Sequence, residues 1–197
     1  MSGSELQQFF TPRFGRFFRG WIQDPLAVGS IVPSGRLLAR LMVSNLRPGA
    51  RVIELGAGTG TVTQAILDTG VRERDLCLVE LNDQFVDILS DRYPRAEVVK
   101  ADALNLTQHL QSWRGAADFV VSGLPLLLFS SSNKKRVLSQ AFELLKRSGA
   151  FHQFTYAGRC PISQRSLAEL SLTASRLGIA ALNLPPAFVY SIARPYT

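Results

Sequence analysis

The chain has 197 residues, with 22 Lys and Arg against 15 Asp and Glu, a net charge of +7 and a pI near 10.0. That length fits one domain, and 46% apolar against 19% charged residues argues against wholesale disorder. Two cysteines exclude a disulfide scaffold, and the longest apolar run, residues 119–129, falls short of the roughly 20 residues of a membrane span.

No charged segment followed by an apolar one opens the chain, so no signal peptide is expected. Cys77 sits in an apolar run and reads as a buried thiol in a reduced compartment. Residues 1–50 carry six arginines against Glu5 and Asp24, a surplus of four. Three of those arginines fall in a predicted helix over 13–22, after Thr11-Pro12. At about 100° per residue Phe14, Phe17, Phe18 and Trp21 share one face, and Arg13, Arg16 and Arg19 share the other. Gly15 and Gly20 each weaken that helix by about 1 kcal/mol. A basic face opposite an aromatic one suits an interfacial membrane anchor. It also suits a helix folded onto the core, or a nucleic-acid arm. Residues 26–34 read as a loop or short turn, with Ser34 capping a helix over 35–45.

Residues 51–55 read as a β-strand running into Gly56-Ala57-Gly58-Thr59-Gly60 and a helix over 61–69. Strand, glycine loop and helix bring the backbone against a nucleotide-like ligand at the strand's carboxyl end. Three acids stand at successive strand ends. Glu54 precedes the glycines, Glu80 closes a strand over 75–80, and Asp102 follows a strand within 97–103. Glu80 has the spacing of a ribose-binding carboxylate, and Asp102 is placed to accept from an adenine amine. E-x-G-x-G-x-G differs from the pyrophosphate-binding loop, so the set argues for S-adenosylmethionine over NAD. A fourth strand, 117–121, ends at Ser122-Gly123-Leu124-Pro125, over the expected methyl site. A helix over 133–147, a fifth strand over 150–155 and a closing hairpin of 180–184 with 188–192 complete the chain. Residues 163–176 read equally as a short helix or the start of a strand. The pattern predicts an α/β fold, a Rossmann-like, seven-stranded mixed sheet with helices on both faces.

The segments WIQDPLAVGSIVPS (21–34), VIELGAGTG (52–60), VELN (79–82), VSGLPLL (121–127), QFTY (153–156) and LNLPP (182–186) resemble the bacterial phospholipid N-methyltransferases of the short, Agrobacterium-like type. That resemblance implies a class I methyltransferase using S-adenosylmethionine, held by Ser34, Glu54, Gly56, Ala57, Gly58, Gly60, Glu80, Leu81, Asp102, Ala103, Ser122 and Gly123. It implies methylation of phosphatidylethanolamine, up to three times, towards phosphatidylcholine. Arg13, Arg16, Phe17, Phe18, Arg19, Trp21, Leu124 and Pro125 then meet the lipid and an anionic membrane surface, at the inner face of the cytoplasmic membrane. No metal, nucleic acid or obligate protein partner is implied, and residues 1–24 form an extension of a single domain.

The chemistry expected is in-line attack of an amine on a sulfonium methyl, which depends mainly on alignment. The amine must be neutral, although its ordinary pKa is close to a lysine's, about 10.4. Tyr156 is the first candidate to orient the headgroup; it is also placed to complete a core edge. Neither His109 nor His152 is assigned a role. Two other readings stay open. Ribosomal RNA adenine dimethyltransferases share the glycine motif, but place an aromatic residue where Leu126 follows Pro125. The third is a non-catalytic membrane-surface protein that retains the fold.

Overall fold

The computed structural model describes residues 33–195 except 182 and 184. The segment holding Arg13, Arg16, Phe17, Phe18, Arg19 and Trp21 lies outside the described residues, as does the side chain of Ser34. Residues Ser34–Thr197 form one compact unit.

Three short runs dominated by apolar residues become β1 (Val52–Leu55), β2 (Leu76–Glu80) and β4 (Ala117–Ser122). Such continuous runs suit strands covered on both faces of a parallel sheet. With β3 (Glu97–Lys100), β5 (Leu145–Thr155), β6 (Thr173–Ala180) and β7 (Ala187–Ala193) they make one sheet in the order β3-β2-β1-β4-β5-β7-β6. The first five positions are parallel, and β7 lies antiparallel between β5 and β6. Edge strand β3 carries a charged residue at each end, which discourages pairing with another chain.

The helices are α1 (Pro33–Met42), α2 (Thr61–Asp68), α3 (Asp83–Arg92), α4 (Leu106–His109), α5 (Ser131–Leu144) and α6 (Gln164–Glu169). Alternate residues of β1 show that both sheet faces are covered. Ile53 and Leu55 join a core with Leu106 of α4, Leu110 just beyond it, and Val137, Leu138 and Phe142 of α5. Glu54 points the other way and meets Thr63 of α2. Each large apolar side chain buried in this way contributes about 1.5–3 kcal/mol.

Several boundaries differ from the sequence reading. Helix α1 starts at Pro33, so Ser34 lies inside the helix rather than capping it, and the helix ends at Met42 rather than 45. Proline suits the first helical position because its missing N–H is not needed there. Helix α5 stops at Leu144 rather than at 147, and Ser148-Gly149 belongs to β5. Arg194, from beyond β7, donates to the carbonyl of Phe142 in the last turn and to that of Lys146 in β5, and the Gly115 and Ala116 amides donate to the Glu143 and Leu144 carbonyls, so the helix end is satisfied from a distance in sequence. The hairpin's first strand is 173–180 rather than 180–184. The ambiguous stretch divides into α6, capped by Ser163 through the Ser166 amide, and then β6. Ser171, at φ 54, makes the reversal between them.

Candidate active site

Strand order reverses between β1 and β4, and both strands run to the same end. A crevice at the carboxyl ends of the strands is where open α/β sheets bind ligands. The glycine loop begins there. Gly56, Gly58 and Gly60 all have positive φ, at 69°, 54° and 85°, a region that side chains with a Cβ rarely adopt. Their surroundings differ. A Cβ on Gly60 would stand 2.9 Å from the Tyr93 ring, whereas one on Gly58 would meet nothing within 4 Å. The middle of the loop therefore offers an open backbone face.

Two acids hold the loop in different ways. Glu80 Oε2 accepts from the Gly58 amide at 2.9 Å, and its Oε1 accepts from Leu81 and Asn82 at 2.7 and 2.9 Å. A carboxylate has about four lone-pair sites, so three backbone donors aim it and leave room for about one more. The spacing alone suggests a group open to two ribose hydroxyls; the fold has already engaged most of it. Glu54 is buried, and its Oε2 accepts from Thr63 Oγ1 at 2.6 Å. Desolvation, against the Thr63 hydrogen bonds and with repulsion from Glu80, pushes its carboxyl up to about 8. It is mainly neutral at pH 7.

At the outer strands, Asp102 follows β3, is exposed and accepts from the Leu104 amide at 2.9 Å. Ala103 beside it is buried, and Leu81 after Glu80 is 62% exposed, an apolar surface at the strand end. The second oxygen of Asp102, Glu80 and the open Gly58 face suit a cation carrying an adenosine. These residues fit S-adenosylmethionine.

The turn after β4 closes the other side. Ser122 is buried, and its Oγ accepts from the Leu124 amide at 3.3 Å. A Cβ on Gly123 would stand 2.9 Å from the Gly56 carbonyl oxygen, so the turn and the glycine loop touch backbone to backbone. Leu124 and Pro125 continue the turn, and Leu126 is buried in the core. Tyr156 lies one residue beyond β5, half-buried, with a side-chain hydrogen bond to Asn183; burial raises its pKa. A phenol in that state stays protonated at neutral pH.

Sequence reasoning missed Thr63, Tyr93 and Gln153. Thr63 stands nine residues after Glu54, one turn into the helix, a spacing that could have flagged it. Gln153 is fully buried at the β5 position paired with Ser122. Its amide nitrogen donates to the carbonyls of Leu124 at 2.9 Å and Phe154 at 2.8 Å. His152, given no role by the sequence, is buried in β5 and bonds the Met42 carbonyl through Nδ1 at 2.8 Å.

Comparison with known proteins agrees with this architecture. Residues 52–149 match the family described as a methyltransferase domain. The chain is 36% identical over 148 residues to an ornithine lipid N-methyltransferase of Singulisphaera acidiphila, covering 72% of this chain and 74% of that protein. A ribosomal RNA small subunit methyltransferase A of Synechococcus is 35% identical over 97 residues, but the match covers 46% of this chain and 31% of that protein. Among solved structures, the Burkholderia thailandensis 1,6-didemethyltoxoflavin-N1-methyltransferase, with bound S-adenosylhomocysteine, superposes with a TM-score of 0.67 at 17% identity, over 92% of this chain and 87% of that one.

Proposed function

We propose that this chain, which belongs to the S-adenosylmethionine-dependent methyltransferases, methylates the amine of phosphatidylethanolamine stepwise to its mono-, di- and trimethylated forms at a membrane surface. One observation carries the reading: the turn at 122–125 packs against the glycine loop with room for no Cβ at Gly123. The acceptor side of the site is thereby built directly onto the cofactor side. The ornithine lipid N-methyltransferase relative supports a lipid amine as acceptor. Ornithine lipid and phosphatidylethanolamine both present a primary amine on a polar headgroup joined to acyl chains.

S-adenosylmethionine supplies, when bound, an electrophilic methyl group on a positively charged sulfur. Glu80, the open face of Gly58 and the surface at Leu81 would hold it, with Asp102 at the adenine. The chain's own task is to bring a neutral nitrogen into line. Leu124 and Pro125, both half-buried, make the acceptor side apolar, and desolvation lowers the pKa of an ammonium group. In this reading Tyr156, kept protonated by burial, would orient the headgroup by hydrogen bonding rather than remove a proton.

The RNA reading has its own support in the ribosomal RNA relatives. Against it, the residue after Pro125 is the buried Leu126, which offers no aromatic ring to stack on a base. The assay that separates the readings incubates the protein and labelled methyl donor with three acceptors, each alone. These are phosphatidylethanolamine vesicles, ornithine lipid vesicles and ribosomal RNA. Chromatography is expected to show label in phosphatidylethanolamine and its methylated products. Label confined to ornithine lipid would move the substrate, and label in RNA would overturn the lipid reading.

A further inference from the structure

Gln153 holds an unusual position for a polar side chain. It is fully buried at the end of β5 that carries the candidate site, in register with Ser122. Both hydrogens of its amide are committed, one to the Leu124 carbonyl and one to the Phe154 carbonyl. Those two acceptors fix which end of the amide is nitrogen. The remaining oxygen, Oε1, is buried and receives no hydrogen bond among the described residues. An unmet buried acceptor costs about 1–3 kcal/mol, and such exceptions call for an explanation. Here the orphan belongs to the residue that ties β5 to the turn lying against the glycine loop.

We propose that Gln153 binds the substrate amine, its Oε1 accepting an N–H of the headgroup nitrogen beside the turn at 122–125, an inference that rests on the phospholipid reading above. An acceptor here points the N–H bonds away from the methyl donor and so turns the nitrogen lone pair towards it. In each transfer that lone pair forms the new N–C bond, and the S–C bond breaks with its electrons left on sulfur. A proton then leaves to solvent after the first and second transfers. The supply of N–H groups falls as methylation proceeds. A neutral primary amine has two, the monomethyl amine one and the dimethyl amine none. Gln153 therefore assists the first two transfers and has nothing to hold in the third.

The test measures the three transfers separately, supplying phosphatidylethanolamine, its monomethyl form and its dimethyl form as starting lipids. Gln153→Met removes the acceptor at similar volume. It is expected to slow the first transfer by about tenfold or more, as loss of a buried hydrogen bond implies, and the third by less than about threefold. Without methyl donor, the same variant is expected to lose affinity for short-chain phosphatidylethanolamine and to keep that for short-chain phosphatidylcholine. Retained S-adenosylhomocysteine binding in calorimetry reports that the variant is folded. If Gln153→Met does not fold, Gln153→Glu serves instead. Buried and protonated, it keeps one donor and one acceptor oxygen, and is expected to preserve the wild-type ratio of first to third transfer. Equal losses at all three steps, or a changed ratio in Gln153→Glu, would overturn the role of Gln153 while leaving the phospholipid reading standing. Failure of the wild type to methylate any of the three lipids would overturn that reading itself.

Discussion

Burial sets the charge of Glu54, and that has a consequence for pH. Its carboxyl is pushed up to about 8 in the folded chain, against about 4.3 for an exposed glutamate. Above the lower value the unfolded chain releases a proton that the folded chain keeps. The stabilisation is complete below the lower value and is lost progressively as pH rises towards the upper one. His152 works in the opposite sense. Desolvation lowers its pKa despite the Met42 hydrogen bond, so its contribution is present above about 6.5 and falls as the solution becomes more acidic. Substitution separates the two. Glu54→Gln keeps an acceptor for Thr63 and cannot ionise. Its melting temperature is expected to fall less than that of the wild type between pH 5 and pH 8, in differential scanning calorimetry. Parallel curves for the two proteins would show that Glu54 ionises freely in the fold.

The contact between the turn after β4 and the glycine loop is a property of two elements, and Gly123 is its narrowest point. A Cβ there would meet the Gly56 carbonyl oxygen at 2.9 Å and that of Leu55 at 3.4 Å. Both are backbone atoms at the end of a central strand, so neither can swing aside. Gly123→Ala is expected to destabilise by about 1–3 kcal/mol, in the manner of an overpacked core. That is several degrees in Tm at roughly 2–4 °C per kcal/mol. S-adenosylhomocysteine affinity should fall with it, because the displaced atoms belong to the cofactor loop. Unchanged stability and unchanged affinity together would mean that the two loops are not packed as described. Much at this scale was legible beforehand. β1, β2 and β4 are dominated by apolar residues that leave little choice but strand, and the three acids mark the carboxyl ends. The end of α5 was not legible, because the groups that satisfy its last carbonyls come from elsewhere in the chain: Arg194 at Phe142, and the Gly115 and Ala116 amides at Glu143 and Leu144. Gln153 was hidden for a related reason. In the sequence it is one polar residue within an otherwise ordinary fifth strand. Only the register with Ser122 and the two carbonyls facing it reveal an acceptor without a donor.

For the whole molecule, the question is how a basic chain would reach the proposed lipid. Residues 1–33 hold three arginines against two acids, which is +1 of the +7 and leaves +6 for the rest of the chain. Net charge by itself therefore gives the first segment no special claim on an anionic surface. Its claim rests on the aromatic face that the sequence predicts over 14–21, a pattern no other segment repeats beside arginines. Each arginine held at an anionic leaflet adds about 1 kcal/mol, and three amount to about a hundredfold in affinity at roughly 1.4 kcal/mol per tenfold. A charge-matched pair of variants tests this. Reversal at Arg13, Arg16 and Arg19, and reversal at the exposed Arg36, Arg40 and Arg47, change the net charge by the same amount. Long-range attraction to an anionic vesicle would suffer equally in both. Docking of the aromatic segment at the proposed membrane surface would suffer far more in the first. Sedimentation with anionic vesicles is expected to fall about a hundredfold for the first triple variant and much less for the second, with methylation of vesicle phosphatidylethanolamine following the same order. Equal losses would assign the attraction to overall charge, and the aromatic face would then be read as one that packs onto protein.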